Sequence, residues 1–447
     1  MQPNQLKNKT IRVGLLGAGT VGSQTARLIV EQSDELVART GATIELVGVA
    51  CLHPEKVNVP WIKRDLLTTD TASLCVHEDI DIIIELIGGL EPAYTLVKSA
   101  LEHGKSVITA NKALLAKFGP ELYACAESHG VDLYFEAAVA GAIPIVRPLR
   151  ESLIGDEIMQ IFGIVNGTTN YILDEMTVRG LDFETALHAA QEKGYAEADP
   201  TGDVEGYDAA NKAAILATLA FQMPVGIDDV SVEGITAITA EDIAAAGAEN
   251  RVIKLLAAVE RHEDGVGVSV YPALVGAEHP LASVHGSFNA VFVKAKAADD
   301  VMFYGRGAGG APTASAVVGD VVTAARNIVR GCVGFGMPMY NKYVPTSSDK
   351  TCADFVVRCR MKDTSRALCE EVIDVFAEHG VKAERLVSAC EAKYDGDGDC
   401  PACGIGGAGD VRLLARDCAE SAVQQICKDL QALDVVCRKP LALRIIK

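Results

Sequence analysis

Short apolar runs alternate with longer segments of helical periodicity over the first 145 residues. Residues 11–16 and 44–50 are predicted strands, and residues 21–30 between them are a predicted helix. Strands that are apolar along their whole length are typical of a parallel sheet covered by helices on both faces. The pattern therefore predicts an α/β fold with a Rossmann-like unit over residues 1–145, completed by about 310–345.

The pattern changes between residues 146 and 310, where helices alternate with polar loops that contain glycine. Residues 183–193 and 207–222 are predicted helices, and a glycine-rich loop at 305–312 precedes a long predicted helix at 313–330. Mixed periodicity of this kind predicts a separate α+β domain.

The tail at residues 350–447 shows a third pattern. The predicted elements are a strand at 354–361, a helix at 365–379, strands at 383–389 and 411–415, a helix at 419–433 and a strand at 441–446. The order βαββαβ predicts a small ferredoxin-like domain.

Composition narrows the possible partners. The formal net charge of −19 argues against a nucleic-acid partner, which requires a basic face. No apolar run approaches the roughly 20 residues that span a bilayer, and residues 1–9 are too polar for an export signal. The 13 cysteines are therefore expected to be reduced thiols in the cytoplasm.

Cys400 and Cys403 form a single C-x-x-C pair, which predicts surface cysteines rather than a zinc site.

A glycine motif marks a candidate nucleotide site. Gly17, Gly19 and Gly22 form G-x-G-x-x-G directly after a predicted strand and at the start of a predicted helix. In this context the glycines let the backbone approach a pyrophosphate, and the helix N-terminus faces the anion. The alternative is a glycine-rich turn in another kind of α/β protein. The predicted cofactor-binding residues are Gly17, Ala18, Gly19, Thr20, Val21 and Gly22.

The end of the second predicted strand bears on the choice between NAD and NADP. An acidic residue there favours NAD and an arginine favours NADP, but residues 51–56 contain neither immediately at the strand end. His53 and Lys56 are candidates for contact with a 2′-phosphate, which slightly favours NADP. An exposed loop that contacts no nucleotide explains the same residues equally well.

An acidic loop leads into a helix at residues 194–212. Glu197 and Asp203 lie in the loop, and Asp208 and Lys212 follow at a spacing that puts both on one helix face. The helix beyond Lys212 is apolar, so burial lowers the lysine pKa while the acids raise it. A lysine in this balance can exchange a proton near neutral pH. Taken alone, the pattern also fits a surface ion pair at a helix start.

The stretch 194–212 is similar, nearly residue for residue, to the signature of homoserine dehydrogenases. Residues 109–115 and 165–173 resemble two further blocks of that family, and all blocks occur in family order across about residues 10–345. The tail resembles the ACT regulatory domain of many family members.

The resemblance implies NAD(P)-dependent interconversion of L-homoserine and L-aspartate 4-semialdehyde, a step in threonine, methionine and isoleucine biosynthesis. It implies that Lys212 donates a proton to the aldehyde oxygen and acts as a base in the other direction. Lys112 resembles a second active-site lysine, close to nicotinamide and substrate. Glu197 and Asp208 resemble the residues that hold the substrate ammonium, and Asp203 belongs to the same acidic group and is expected to orient Lys212.

The resemblance also implies a monovalent cation, sodium, held by Glu136 and the carbonyls of Val139, Gly141 and Ile143. The residues alone also fit a different interpretation, in which Glu136 binds no cation and its carboxylate accepts hydrogen bonds from backbone amides. Gly309 resembles a residue of the loop that covers the cofactor. The middle domain is then the catalytic and dimerisation domain, the ACT domain implies control by threonine, and a homodimer or homotetramer is expected.

Two other functions stay open at this point. One is another nicotinamide-dependent amino-acid dehydrogenase. This alternative does not explain the signature at residues 194–212. The other is an inactive amino-acid-sensing protein, against which the intact set of Lys112, Glu197, Asp208 and Lys212 argues.

Overall fold

The computed structural model contains two β-sheets, one of six strands and one of eleven. It describes residues 9–336, 343–346, 351–386 and 409–446. Cys400 and Cys403 lie outside these ranges, as do parts of the linker between the second and third domains. Among the helices of the described ranges, none is long and apolar enough to cross a membrane.

The first sheet is parallel and has the strand order β3-β2-β1-β4-β5-β6. Its strands are β1 (Thr10–Leu16), β2 (Thr43–Ala50), β3 (Leu67–Thr68), β4 (Ile82–Glu85), β5 (Ser106–Thr109) and β6 (Leu133–Tyr134). The helices between them are α1 (Thr20–Glu31), α2 (Ser33–Thr40), α3 (Thr71–Val76), α4 (Ala93–Glu102) and α5 (Lys112–Ser128). The order reverses between β1 and β4, which opens a crevice at the carboxyl ends of these two strands.

The predicted doubly wound sheet is confirmed. Every residue of β4 and β5 is buried, in agreement with their continuous apolar pattern. A helix from later in the chain, α11 (Gly310–Arg330), packs against α1 and completes the layer. It begins three residues before the predicted start, because a proline is tolerated in the first turn of a helix. The sequence pattern does not separate α2 from α1, since Gln32 alone lies between them.

The second sheet follows the path β12-β11-β7-β9-β10-β17-β14-β16-β15. Its middle-domain strands are β7 (Ile158–Ile164), β8 (Ser231–Val232), β9 (Arg251–Arg261), β10 (Val266–Gly276), β11 (Phe288–Ala295) and β12 (Asp299–Arg306), and β13 (Pro345–Thr346) pairs with β10. The middle-domain helices are α6 (Gly167–Arg179), α7 (Phe183–Glu192), α8 (Thr201–Val204), α9 (Tyr207–Phe221) and α10 (Ala240–Ala248). The long strands β9 and β10 were not predicted, because both are buried over almost their whole length and show no alternation of polar and apolar residues.

The C-terminal part has the predicted ferredoxin-like order. Its elements are β14 (Cys352–Met361), α12 (Arg366–Glu378), β15 (Ala383–Leu386), β16 (Gly409–Ala419), α13 (Glu420–Ala432) and β17 (Leu441–Ile446). The strand predicted at 383–389 ends at Leu386 in the described part, and residues 387–389 lie outside it. Strand β17 also pairs in parallel with β10, so the sheet of this part continues the middle-domain sheet.

A buried ion pair reinforces this junction. The Arg444 guanidinium on β17 donates to both carboxylate oxygens of Glu260 on β9, at 2.6 and 2.7 Å. The side chains are only 7% and 9% exposed, and Gln160 Nε2 on β7 donates to the same carboxylate at 2.6 Å. Three strands from two parts of the chain therefore meet at one carboxylate.

We expect Glu260→Gln to lower the free energy of unfolding by about 3–5 kcal/mol, because it leaves the buried Arg444 charge without its partner. Glu157 pairs with Lys296 and Arg261 at the surface, so the matched Glu157→Gln should cost about 1 kcal/mol or less. Urea unfolding followed by circular dichroism measures both changes. Equal losses in the two variants would show that the junction does not depend on this pair.

Candidate active site

The glycine motif forms a tight turn at the carboxyl end of β1. Gly17 has a φ of +102° and donates its amide to the Ala50 carbonyl at 2.8 Å. A Cβ at Gly22 would lie 1.9 Å from the Gly17 oxygen, whereas a Cβ at Gly19 would meet nothing within 4 Å. Gly22 therefore allows helix α1 to pack on the strand, and Gly19 leaves open space above the turn.

A second helix begins beside this turn. A Cβ at Gly310 would lie 3.0 Å from Thr20 Cγ2, so the first turns of α11 and α1 nearly touch. Gly309 precedes α11 with a φ of +119°, a conformation that favours glycine. Two helix N-termini in one place present backbone amides and partial positive charge to an anion such as a pyrophosphate.

Two lysines from different domains share one carboxylate. Lys112, the first residue of α5, forms an ion pair with Asp208 Oδ1, and Lys212 Nζ lies 2.7 Å from Asp208 Oδ2. Lys212 also donates to the Val165 carbonyl at 2.6 Å. The prediction that Asp208 and Lys212 lie on one helix face is confirmed, and the two side chains form an ion pair there. The contact with Lys112 brings the nucleotide-binding unit to the same point.

Asn166 positions the carboxylates. Its side-chain oxygen accepts from the Thr169 amide at 2.8 Å and so caps helix α6. Its amide nitrogen then donates to Asp203 at 2.7 Å and to Asp208 at 2.9 Å. This role was not predicted, although an asparagine followed by Gly-Thr-Thr is a recognisable helix start. Asp203 makes no hydrogen bond with Lys212 among the described contacts, so it acts on the lysine only through its charge.

The charges in this cluster shift one another. Burial lowers the pKa of Lys212, and the Lys112 ammonium lowers it further, while Asp208 opposes both. Burial tends to raise the pKa of Asp208, but the two ammonium groups outweigh it and hold that pKa well below its usual range. Burial also raises the pKa of Asp203. The arrangement is one permanent carboxylate between two lysines, one of which gives up its proton more readily than a free lysine.

The cluster forms one wall of a cavity of about 830 Å³. Gly309 from the loop before α11 lines this cavity, and so do five residues that were predicted to act on the substrate: Lys112, Glu197, Asp203, Asp208 and Lys212. Lys193 and Arg306 also line it and were not predicted. By contrast, His53 and Lys56 lie on an exposed loop after β2 and do not line the cavity, and His53 Nδ1 lies 3.3 Å from Glu55.

Glu136 lies in a separate buried network. Its carboxylate accepts from the amides of Val146 at 2.8 Å and Arg147 at 3.1 Å, and its own amide donates to Asp320 at 2.8 Å. Arg147 forms an ion pair with Asp320. Burial raises the pKa of Glu136, and burial raises that of Asp320 to about 7. Asp320 and Arg147 are far apart in the sequence, so this network was not predicted.

Three backbone carbonyl groups that follow Glu136 in the chain are candidate ligands for a cation. Among the described residues, none donates a hydrogen bond to the carbonyl oxygens of Val139, Gly141 or Ile143. The described part of the chain contains no group of three His, Cys, Asp or Glu side chains that could hold a metal ion. A cation here would therefore depend on one carboxylate and backbone carbonyls.

These features define a class of protein. A parallel sheet with a topological switch point, a glycine turn under two helix N-termini and a lysine-rich cavity beside that turn are typical of a nicotinamide-dependent oxidoreductase.

The comparisons with known proteins give the family. A model of the homoserine dehydrogenase family matches residues 144–322, and the model of its NAD-binding domain matches residues 17–136. The homoserine dehydrogenase of Corynebacterium glutamicum is 49% identical over 389 residues, 86% of this chain and 87% of that protein. The chain belongs to the homoserine dehydrogenase family.

Solved structures agree with this assignment. A homoserine dehydrogenase from Thiobacillus denitrificans is similar at a TM-score of 0.89 and 35% identity, covering 98% of this chain and 99% of that one. A hyperthermophilic archaeal homoserine dehydrogenase mutant in complex with NADPH matches at a TM-score of 0.61 and 27% identity, over 70% of this chain and 97% of that one.

The two glycines of the turn should respond differently to alanine. Gly22→Ala should lower both the melting temperature and the affinity for the dinucleotide, because its Cβ would collide with the Gly17 backbone. Gly19→Ala should leave the melting temperature unchanged and weaken dinucleotide binding at least tenfold, because the space that its Cβ fills is open in the protein. Differential scanning fluorimetry and cofactor titration separate the two effects. Unchanged binding in Gly19→Ala would contradict the assignment of that space to the cofactor.

Proposed function

We propose that the chain converts L-aspartate 4-semialdehyde and L-homoserine into each other, with Lys212 as the proton donor and base. The observation that supports these roles is the Asp208 carboxylate held by both Lys112 and Lys212 at the wall of the cavity. Gly309 lines the same cavity from the side of the glycine turn, so cofactor and substrate can meet there.

The residues of the chain supply charge and protons for this reaction. The nicotinamide, when bound, supplies or accepts the hydride at the substrate carbon. As the aldehyde is reduced, negative charge grows on its oxygen, and the Lys212 ammonium stabilises that charge and gives up a proton to it. In the other direction neutral Lys212 accepts the hydroxyl proton of homoserine. The lowered pKa of Lys212 makes both protonation states accessible.

The structure favours different roles for the acids that were predicted to hold the substrate ammonium. Asp208 is already occupied by two lysines, so we assign it to positioning Lys112 and Lys212. Glu197 is exposed in the cavity, and no described cation lies within ion-pair distance of its side chain. Glu197 is therefore the group that binds the ammonium, while Lys193 and Arg306 offer positive charge to the substrate carboxylate.

We extend the proposal to NADP as the preferred cofactor. No acidic side chain stands immediately at the end of β2 to bind a ribose 2′-hydroxyl, and His53 and Lys56 lie on the loop that follows. A relative with 27% identity was solved in complex with NADPH, which is consistent with this preference.

We also propose that sodium binds beside Glu136. A hard monovalent cation suits one carboxylate and the carbonyls of Val139, Gly141 and Ile143, which have no described donors. The carboxylate already accepts two backbone amides, and its remaining lone pairs are sufficient for a cation.

The C-terminal unit is proposed to be an ACT domain that senses an amino acid, threonine, on the basis of its ferredoxin-like sheet and its junction with β10. Buried free thiols such as Cys75 and Cys359 are consistent with the predicted cytoplasmic location. The homodimer or homotetramer stays a prediction.

Lys212→Ala should lower kcat for homoserine oxidation by about 10²–10⁴-fold, the usual contribution of a positioned acid–base group. The assay follows nicotinamide reduction with L-homoserine and with NADP or NAD, and we expect the lower KM with NADP. The exposed Lys117→Ala on α5 serves as a control and should keep its kcat. Absence of reduction with either cofactor in the unmodified protein would refute the proposed activity, and normal turnover in Lys212→Ala would refute the proton-transfer role.

The pH profile provides a second test of the same role. Homoserine oxidation needs neutral Lys212, so its rate should rise with pH as the lysine loses its proton. Asp208→Asn removes the negative charge that raises the Lys212 pKa, so the rising limb should move to lower pH in this variant, in addition to any loss of kcat. A limb that stays in place or moves to higher pH would contradict the pairing as the cause.

The sodium site can be tested without activity. Replacing choline chloride by sodium chloride at equal ionic strength should raise the melting temperature of the unmodified protein by a few degrees, because a ligand that binds only the folded state stabilises it. Glu136→Gln should abolish this increase, and Glu102→Gln on the surface of α4 should retain it. No difference between the two salts in the unmodified protein would exclude the site.

A further inference from the structure

Asn289 is a fully buried asparagine whose side chain has no hydrogen-bond partner. It lies on β11 and is 1% exposed, and neither the nitrogen nor the oxygen of its carboxamide forms a hydrogen bond with any described residue. Buried side-chain amides are almost always hydrogen-bonded, because the loss of water without a new partner is unfavourable. We therefore expect this carboxamide to have a role other than stabilising the fold.

Asn170 on α6 is an equally buried asparagine with a full set of partners. It is also 1% exposed. Its amide nitrogen donates to three backbone carbonyls of the loop 284–288, at 2.8, 3.1 and 3.3 Å. Its side-chain oxygen accepts from Lys254 Nζ at 3.1 Å. Because the two asparagines are buried to the same extent, burial does not explain why Asn289 has no partner.

The carboxamide of Asn289 lies directly against the backbone of Gly307. A Cβ at Gly307 would lie 2.0 Å from Asn289 Nδ2 and 2.5 Å from Oδ1, so only glycine allows this contact. Within the described part of the chain, neither the Gly307 carbonyl nor the Ala308 amide, which form one peptide group, takes part in a backbone hydrogen bond. A carboxamide and a peptide group each contain N–H and C=O, so two complementary polar groups lie side by side and unpaired.

The peptide group that follows Gly307 has room to rotate between two fixed points. Arg306, before it, is the last residue of β12 and pairs with β11. The carbonyl of Gly309, after it, accepts an amide of the first turn of α11 at 3.0 Å. A Cβ at Gly141 would lie 2.4 Å from the Gly307 oxygen, so glycines border the peptide group on both of its faces. A rotation that turns it toward Asn289 therefore meets little steric resistance.

Asn289 lies between the nucleotide side and the substrate side of the active-site cavity. Gly307 and Gly309 line this cavity, and α11, which begins after Gly309, starts beside the glycine turn. On the other side, a Cβ at Gly167 would lie 3.5 Å from Asn289 Oδ1, and Gly167 is the first residue of α6. A change in the backbone at Gly307 is therefore felt at the cavity wall, where a dinucleotide on the glycine turn would extend.

We propose that Asn289 is a positioning residue for the dinucleotide: when the dinucleotide binds, the peptide group after Gly307 turns toward Asn289, and hydrogen bonds between the two groups hold residues 306–309 over the cofactor. This inference rests on the proposed function, because it assigns that segment to the cofactor. Asn289 itself touches neither the cofactor nor the substrate. Its carboxamide lowers the stability of the free protein and raises the affinity for the dinucleotide.

Asn289→Leu tests the proposal, because leucine has a similar shape and no polar atoms. Its melting temperature in differential scanning fluorimetry should equal or exceed that of the unmodified protein. Its dissociation constant for NADPH or NADH, whichever the unmodified protein binds more tightly, should rise about tenfold or more in a fluorescence titration, because hydrogen bonds formed only with the ligand are lost. The matched Asn170→Leu should lower the melting temperature, because it removes the hydrogen bonds of Asn170 to the loop 284–288 and to Lys254.

Asn289→Ala separates the loss of the carboxamide from the shape of leucine. Alanine cannot collide with Gly307, so this variant should weaken dinucleotide binding to a similar extent. Unchanged affinity in Asn289→Ala would overturn the proposal. A melting temperature of Asn289→Leu as low as that of Asn170→Leu would also overturn it, because the carboxamide would then be paired in the free protein, for instance with a bound water. In both cases the unmodified protein would still bind the dinucleotide and oxidise homoserine, whereas failure of the unmodified protein to bind either dinucleotide would refute the proposed function as well.

Discussion

The Asp208 carboxylate is the interaction on which the rest of the site depends. It accepts from Lys112, which begins a helix of the nucleotide-binding unit, and from Lys212, one turn further along its own helix. One buried negative charge therefore joins the two domains at the wall of the cavity. Without it, the Lys112 and Lys212 ammonium groups would lie close together with no negative charge between them, and their repulsion would disfavour the charged form of each.

The same balance makes both protonation states of Lys212 accessible, as the proposed acid–base role requires. Lys212 is buried against an apolar helix, and burial alone favours its neutral form. Asp208 and Asp203 oppose that tendency, so the protonation state depends on their position. Asn166 fixes both carboxylates from a helix cap, which couples the electrostatics of the site to local backbone geometry.

Strand β10 is the second structural constraint. It pairs with β9 in the middle domain and with β17 of the C-terminal unit, so one strand belongs to the catalytic sheet and to the proposed regulatory sheet. The bidentate contact between Arg444 and Glu260 reinforces this continuity. The position of the C-terminal unit relative to the middle domain is therefore fixed by backbone pairing as well as by this ion pair.

The sequence by itself determined the features that depend on local spacing. The glycine turn followed from three residues within six, and the contact of Asp208 with Lys212 followed from the helical repeat. The continuous apolar runs predicted the parallel sheet because such strands must be buried on both faces. The family resemblance supplied the predicted role of Lys112, which no local pattern indicates.

Only the tertiary structure decided the long-range contacts. Lys112 and Asp208 are 96 residues apart, and their pairing requires α5 and α9 to pack against each other. The pairing of β9 with β10 and the partners of Glu136 depend in the same way on how separate elements dock. Residue spacing determines which side chains share a helix face or a strand face, but it does not determine which faces meet, because that depends on the packing of the whole core.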